Sequence, residues 1–269
     1  MEKNTPSSSS NQTAEKLLVV LEALAFQSQP VRLIDFAKEL NMNTSTLYRF
    51  LFALQNMGYV TQDEATGKYA LNLKLCYLAE MIKRNQSIIA LLHYAVIEAS
   101  TLFQESAHLT QVEDQRIVYV DNAMTASQSL TIRQYIGKTA PMHCTGVGKL
   151  FLAEYSEDQL NSYVLHRELE ALTPYTITTK DALCRELEDV RGRGYAFDNE
   201  ECELGVRCIA VPIRDYTGHV AAGLSVSGPA ARISGEVVQR KLPRLLEIAR
   251  RASADLGFAA QADRSAGQT

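Results

Sequence analysis

The segment from Val31 to Leu71 constrains this chain more than any other part of it. Leu33, Ile34, Ala37 and Leu40 fall on one helical face, Asn41-Met42-Asn43 interrupts them, and Leu47, Phe50, Leu51 and Leu54 then recur at i, i+3, i+4 and i+7. The spacing predicts a short helix over 31–40 and a second from Thr44 to Met57, capped by Asn43 or Thr44. Gly58 closes that stripe. Tyr59–Gln62 and Lys68–Leu71 read as strands joined by the turn Asp63-Glu64-Ala65-Thr66-Gly67. Thr13 can cap a preceding helix running to about Phe26, with Leu17, Val20, Leu21 and Leu24 along one side. Three short helices and a hairpin make a winged helix-turn-helix, in which the later helix of the pair lies in the major groove of DNA and the hairpin is the wing.

With its apolar stripe turned inward, the helix from Thr44 leaves Ser45, Arg49, Phe52 and Asn56 outward, flanked by Thr44 and Tyr48. Thr44, Ser45 and Thr46 set hydroxyls at a helix N-terminus, where backbone N–H groups and the helix dipole favour a phosphate. Arg49 is the natural fork for a base or a phosphate, and Lys68 of the wing suits a second backbone contact. The candidate DNA-binding set is therefore Thr44, Ser45, Thr46, Tyr48, Arg49 and Lys68. A fold of this kind also serves in protein-binding modules, so the pattern alone leaves both open.

Charge narrows the kind of DNA binding. The chain of 269 residues has a net charge of −4, which excludes a protein that coats nucleic acid by bulk positive charge. Residues 1–85 carry nine basic against eight acidic side chains, and the acidic excess lies beyond them. No apolar stretch has membrane-spanning length, and the Ser-rich Met1–Gln12 lacks the apolar segment of a signal peptide, so a cytoplasmic protein without a membrane partner is expected. Cys76, Cys144, Cys184, Cys202 and Cys208 show no paired ligand spacing and read as reduced, mostly buried thiols.

The remaining chain reads as a second, α+β domain around an antiparallel sheet. One linker helix is expected from Leu73 to about Leu92. Strands follow at Ala107–Val112 and Arg116–Asp121, with a third candidate at Ser129–Tyr135. Helices are expected at Gly148–Ala153, at Glu157–Val164 behind a Ser156/Gln159 capping box, and at Lys180–Arg191 behind Thr179. A hairpin of Arg207–Arg214 and Gly218–Ser227 and an amphipathic helix Gly235–Leu256 close the domain. The resulting division is a mobile tail at 1–12, the reading head at 13–73, the linker at 74–92, the second domain at 93–258 and a mobile tail at 259–269.

Gly146-Val147-Gly148-Lys149 is not a phosphate loop, because His143 stands where the first glycine is required and Leu150 where a hydroxyl is. His143 and Cys144 are neighbours, which on a strand point to opposite faces and cannot pair as base and nucleophile unless a turn intervenes. The five histidines are scattered without metal spacing, so neither metal nor cofactor is expected.

Ser45-Thr46-Leu47-Tyr48-Arg49-Phe50-Leu51, with Leu54, Gly58-Tyr59 and Tyr69-Ala70-Leu71, resembles the reading head of IclR-family regulators. Pro141–Lys149, Arg193–Glu201, Gly205–Ala210 and Ser225–Gly228 are similar, in order, to blocks of that family's effector domain. Phe52 departs from the family, which more often has a polar or small residue there; it could touch a thymine methyl or pack within a dimer. The resemblance implies a GAF-like effector-binding domain, a homodimer or dimer of dimers, and an operator switched by a small organic molecule. It also implies pocket roles for Gly146, Val147, Asp198, Val206 and Cys208. Ser225 and Ser227, two apart on a strand, point to one face, and Gly146 and Gly148 lack side chains that would keep a ligand from the main chain. A carboxylate or carbonyl compound suits this set. An enzyme on a small acid with an appended DNA-binding head is the alternative reading.

Overall fold

Asn11, not Thr13, starts the first helix: its Oδ1 accepts from the Ala14 N–H at 3.3 Å, and α1 runs Gln12–Ala25. The computed structural model describes residues 11–259 apart from 86, 125–131 and 133, so both expected tails lie essentially outside the described residues. The chain divides into two compact units between residues 86 and 87.

In the first unit α2 (Leu33–Glu39) and α3 (Thr44–Asn56) follow α1. Val20, Leu24, Phe36, Ala37, Leu47, Leu51 and Leu54 interlock as its core, as their helical spacing requires. The strands β1 (Val60–Gln62) and β2 (Tyr69–Leu71) pair antiparallel and deliver Val60 and Tyr69 to the same core. Asp63 shapes the wing turn by accepting from the Thr66 N–H at 2.7 Å and its hydroxyl at 2.6 Å, and Gly67 supplies a φ of +67°. The helix α4 (Lys74–Asn85) begins with Lys74, whose ammonium donates to the Met57 carbonyl at 2.6 Å.

The expected single linker helix is two helices. The chain leaves helical geometry at Ser87, which adopts extended dihedrals, and α5 then runs Ile88–Phe103 as the first element of the second unit. Helical periodicity on both sides of the break hid it, because Ser87 lacks the strong stop of a proline or glycine.

The second unit is built on one antiparallel sheet in the order β5-β4-β3-β8-β7-β6. Its strands are β3 (Ser106–Glu113), β4 (Arg116–Ala123), β5 (Thr139–Pro141), β6 (Ala196–Asn199), β7 (Val206–Arg214) and β8 (Val220–Pro229). Of the expected strand at 129–135, residues 129–131 and 133 lie outside the described residues and 132, 134 and 135 are not in a strand. The edge beside β4 is formed by β5 instead. The short β6 was not expected. Helices cover both faces of the sheet. Leu109, Ile209, Val211, Leu224 and Val226 pack beneath α5 and α9 (Gly235–Asp255). Ile117, Ala196 and Ala210 meet α6 (Gly146–Leu152), α7 (Glu157–His166) and α8 (Lys180–Arg193) on the other face. The Ser156/Gln159 capping box is present on α7.

The seating of α6 is tight. A Cβ at Gly223 would lie 2.3 Å from Val147 Cγ1, so the missing side chain on β8 lets Val147 press onto the sheet. A Cβ at Gly148 would lie 2.1 Å from the Met142 carbonyl oxygen.

Candidate functional site

Asn43 organises the N-terminus of α3. Its Oδ1 accepts from the Ser45 N–H at 3.0 Å and from the Ser45 hydroxyl at 2.8 Å. One of the N–H groups expected to be free for a phosphate is thus already capped, and the Ser45 hydroxyl proton is committed. Thr44, Ser45, Tyr48 and Arg49 are exposed, while Thr46 and Lys68 are half-buried. Tyr48 and Phe52 stack on the outer surface, with centroids 6.1 Å apart and planes at 24°, each about half exposed. The outer face of α3 is therefore one arginine flanked by hydroxyls and an aromatic pair.

In the second unit, Gly146, Val147, Asp198, Val206, Cys208, Ser225 and Ser227 all line one small cavity, with a free volume of about 30 Å³. Sequence reading missed the rest of its wall, which includes Thr110, Tyr119, Thr145 and Cys202. Alternation along β3 would have placed Thr110 on the side opposite Leu109, but the facing of that strand was not resolved by its pattern. The register shows how the sheet assembles the polar row: Asp198 stands opposite Cys208, and Cys208 opposite Ser227. Ser225 and Ser227 share one face because Leu224 and Val226 take the other. A wider groove of about 500 Å³ runs beside Arg193, Asn199 and Arg207, open to solvent and lined by none of these residues.

Asp198 is held by its own turn, its Oδ1 accepting from the N–H groups of Glu201 at 2.8 Å and Cys202 at 3.2 Å. Burial pushes its carboxyl up to about 7, against the lowering effect of those two backbone donors. Burial also pushes the Cys208 thiol up to about 12. His143 and Cys144 lie in a turn, not on a strand, yet His143 Nε2 engages the Glu170 carbonyl at 3.1 Å. The Cys144 thiol is held well above its usual range by its hydrogen bond with Cys202 and then by burial, the opposite of nucleophile activation. Of the five cysteines, none in a disulfide, only Cys144 and Cys208 are buried; Cys184 and Cys202 are partly exposed and Cys76 is exposed. Thr145, not a residue of the Gly-rich run, caps α6 by accepting from the Gly148 N–H at 3.2 Å.

The glycines of that run have a packing role as well, beside the place of Gly146 in the cavity wall. A Cβ at Gly146 would come 3.1 Å from the Ala210 Cβ and 3.3 Å from the Ala196 carbonyl oxygen, and one at Gly148 would strike Met142. Both serve the close packing of α6 on its surroundings. Among the described residues no group of histidine, cysteine and carboxylate side chains is arranged to hold a metal ion, and no helix is long and apolar enough to cross a membrane.

A winged reading head and a second unit enclosing a polar cavity, carried on one chain, define a DNA-binding transcription regulator with its own effector-binding domain. The family model for the IclR helix-turn-helix domain matches residues 13–64, and that for the bacterial transcriptional regulator IclR C-terminal domain matches residues 81–254. The chain is 35% identical over 243 residues to the HTH-type transcriptional regulator KdgR of Escherichia coli (strain K12), covering 90% of this chain and 92% of that one. It is 30% identical over 229 residues to the acetate operon repressor of Salmonella typhimurium (strain LT2), covering 84% and 83%. The crystal structure of Thermotoga maritima IclR aligns with a TM-score of 0.61 at 31% identity, over 92% of this chain and 99% of that chain. The chain belongs to the IclR family of transcriptional regulators.

Proposed function

We propose that this regulator binds a near-palindromic operator as a dimer or dimer of dimers and is switched by a small organic acid or related metabolite held in the second unit. One observation carries the effector half of this reading: the seven residues singled out for a ligand come together on one cavity, in a different unit from α3. The cavity offers hydroxyl donors from Ser225 and Ser227 and a buried carboxyl from Asp198, a set suited to a carboxylate or carbonyl compound.

Thr44, Ser45, Thr46, Tyr48, Arg49 and Lys68 form the proposed DNA surface. A single arginine per head offers few contacts, which favours two heads on a two-fold site. Relatives described as repressors support a repressor over an activator. In this reading the head ends near 73, the effector domain extends to about 258, and the setting is the cytoplasm.

The experiment selects a duplex from a random-sequence library with the full chain, then titrates candidate acids into the complex. An acid that shifts duplex affinity and is recovered unconsumed supports the proposal. Turnover of the acid, or no selected duplex, overturns it.

A further inference from the structure

His108 is 1% exposed near the middle of β3, and neither of its ring nitrogens has a hydrogen-bond partner among the described residues. Ser106, two residues earlier and so on the same face, is also buried, and its hydroxyl is likewise without a partner. Their neighbours Ala107 and Leu109 turn to the opposite face, into the core under α5 and α9. The pairing of β3 with β8 sets Ser106 opposite Ser227 and His108 opposite Ser225. The His108 ring meets the Tyr119 ring edge-on at 5.3 Å. Tyr119, Ser225, Ser227 and Thr110, the next residue of β3 on that face, all line the cavity.

A buried polar atom with no partner forfeits the hydrogen bond that water gave it in the unfolded chain, and such atoms are rare in native proteins. His108 and Ser106 are not themselves in the wall of the cavity as it stands, but three such atoms, paired in register beside two serines that are, point to a missing occupant. Burial holds the imidazole neutral at ordinary pH. A neutral imidazole presents one donor and one acceptor, and a serine hydroxyl does the same. The two ring nitrogens point apart, so one ligand group meets only one of them. A carboxylate can only accept from that nitrogen, whereas a hydroxyl can accept from it or donate to it in either tautomer.

We infer that His108, supported by Ser106, is a recognition residue for a hydroxyl group on the effector, so that the ligand is a hydroxylated acid. The inference rests on the effector-cavity reading and narrows it. His108 contacts the hydroxyl directly, while Ser225 and Ser227 serve the rest of the ligand.

The test uses the full chain and acids matched in pairs of which only one member carries a hydroxyl, such as lactate with propionate and 3-hydroxybutyrate with butyrate, measured by calorimetry. The more hydroxylated member should bind about tenfold tighter. His108→Phe should abolish that preference while leaving affinity for the less hydroxylated member unchanged, and His108→Gln, whose amide both donates and accepts, should keep part of it. Ser225→Ala with Ser227→Ala should weaken both members of a pair. In the unmutated protein the ring nitrogens of His108, followed by nitrogen NMR, should both shift when the hydroxylated acid is added, a readout that needs no folded variant. Equal binding within every pair, a preference that survives His108→Phe, or ring nitrogens that do not respond because a bound water satisfies them would each overturn the role of His108. In those cases weakening by the serine double variant keeps the cavity reading standing. If no acid binds the parent protein, both fall.

Discussion

The Lys149 ammonium on α6 lies 2.5 Å from the Glu201 carboxylate in the turn after β6, and 2.8 Å from the Phe197 carbonyl. Both side chains are buried, and Glu186 approaches the same ammonium at 3.5 Å. Glu201 also accepts from the Asn199 N–H at 3.2 Å, and its own N–H is taken by Asp198. The lysine that follows Gly148 is thus a strut between α6 and the turn that presents Asp198 to the cavity.

Lys149→Met removes one partner and leaves a buried carboxylate, a loss on the order of 3–5 kcal/mol of stability. Lys149→Met combined with Glu201→Gln should recover a large part, because neither charge is then buried alone. Denaturant midpoints of the parent, single and double variants measure this, and a single variant as stable as the parent would remove the strut from the account.

Glycine substitutions separate packing from backbone freedom. Gly148→Ala places its Cβ 2.1 Å from main-chain atoms of Met142 that cannot turn aside, and should cost about 3 kcal/mol or prevent folding. Gly192, inside α8, has nothing within 4 Å of its Cβ position. Gly192→Ala should raise stability by about 0.5–1 kcal/mol. Thermal unfolding of the two variants should therefore move in opposite directions.

The elements most legible in the sequence were those whose burial repeats with the period of their geometry. The Leu47/Leu51/Leu54 stripe, the Ser156 capping box and the alternation of Leu224, Ser225, Val226 and Ser227 each carry a local signal that packing reinforces. The break at Ser87 and the strand at Ala196–Asn199 were not legible, because the first lacks a stop residue and the second is only four residues long and held at the sheet edge by pairing with β7. The cavity residues Val147, Asp198, Val206 and Cys208 were legible only through family resemblance. His108 escaped because its interest lies in what does not touch it, which no spacing encodes.

On the DNA side, Arg49→Ala should weaken binding to a selected operator by about 1–3 kcal/mol with the fold unchanged, since Arg49 is exposed and supports no core contact. Asn43→Ala should instead lower stability by about 1 kcal/mol, through loss of the cap on α3. Gel shift and circular dichroism on both variants distinguish a reading residue from a capping one. An unchanged operator affinity in Arg49→Ala would take that residue off the reading surface.

The last prediction concerns pH, where burial acts on His108 and Asp198 in opposite senses. It pushes the His108 imidazole from 6.5 down to about 4 and the Asp198 carboxyl from 3.8 up to about 7. Between these limits the unfolded histidine takes up a proton that the folded one refuses. The His108 contribution is therefore present above about pH 6.5 and lost as pH falls toward 4. Folded Asp198 keeps a proton that the unfolded chain has released, so its contribution is present below about pH 3.8 and lost as pH rises toward 7. The two shifts correspond to about 3 and about 4 kcal/mol, so they largely cancel in the window they share. Replacing either residue uncovers the other. Relative to the parent, Asp198→Asn should gain stability as pH rises from about 4 to 7, and His108→Gln should gain as pH falls from about 6.5 to 4. Unfolding free energies of the three proteins across that range give two difference curves, and curves of the same sign of slope, or flat ones, would show that these two groups are not buried in the protonation states assigned to them.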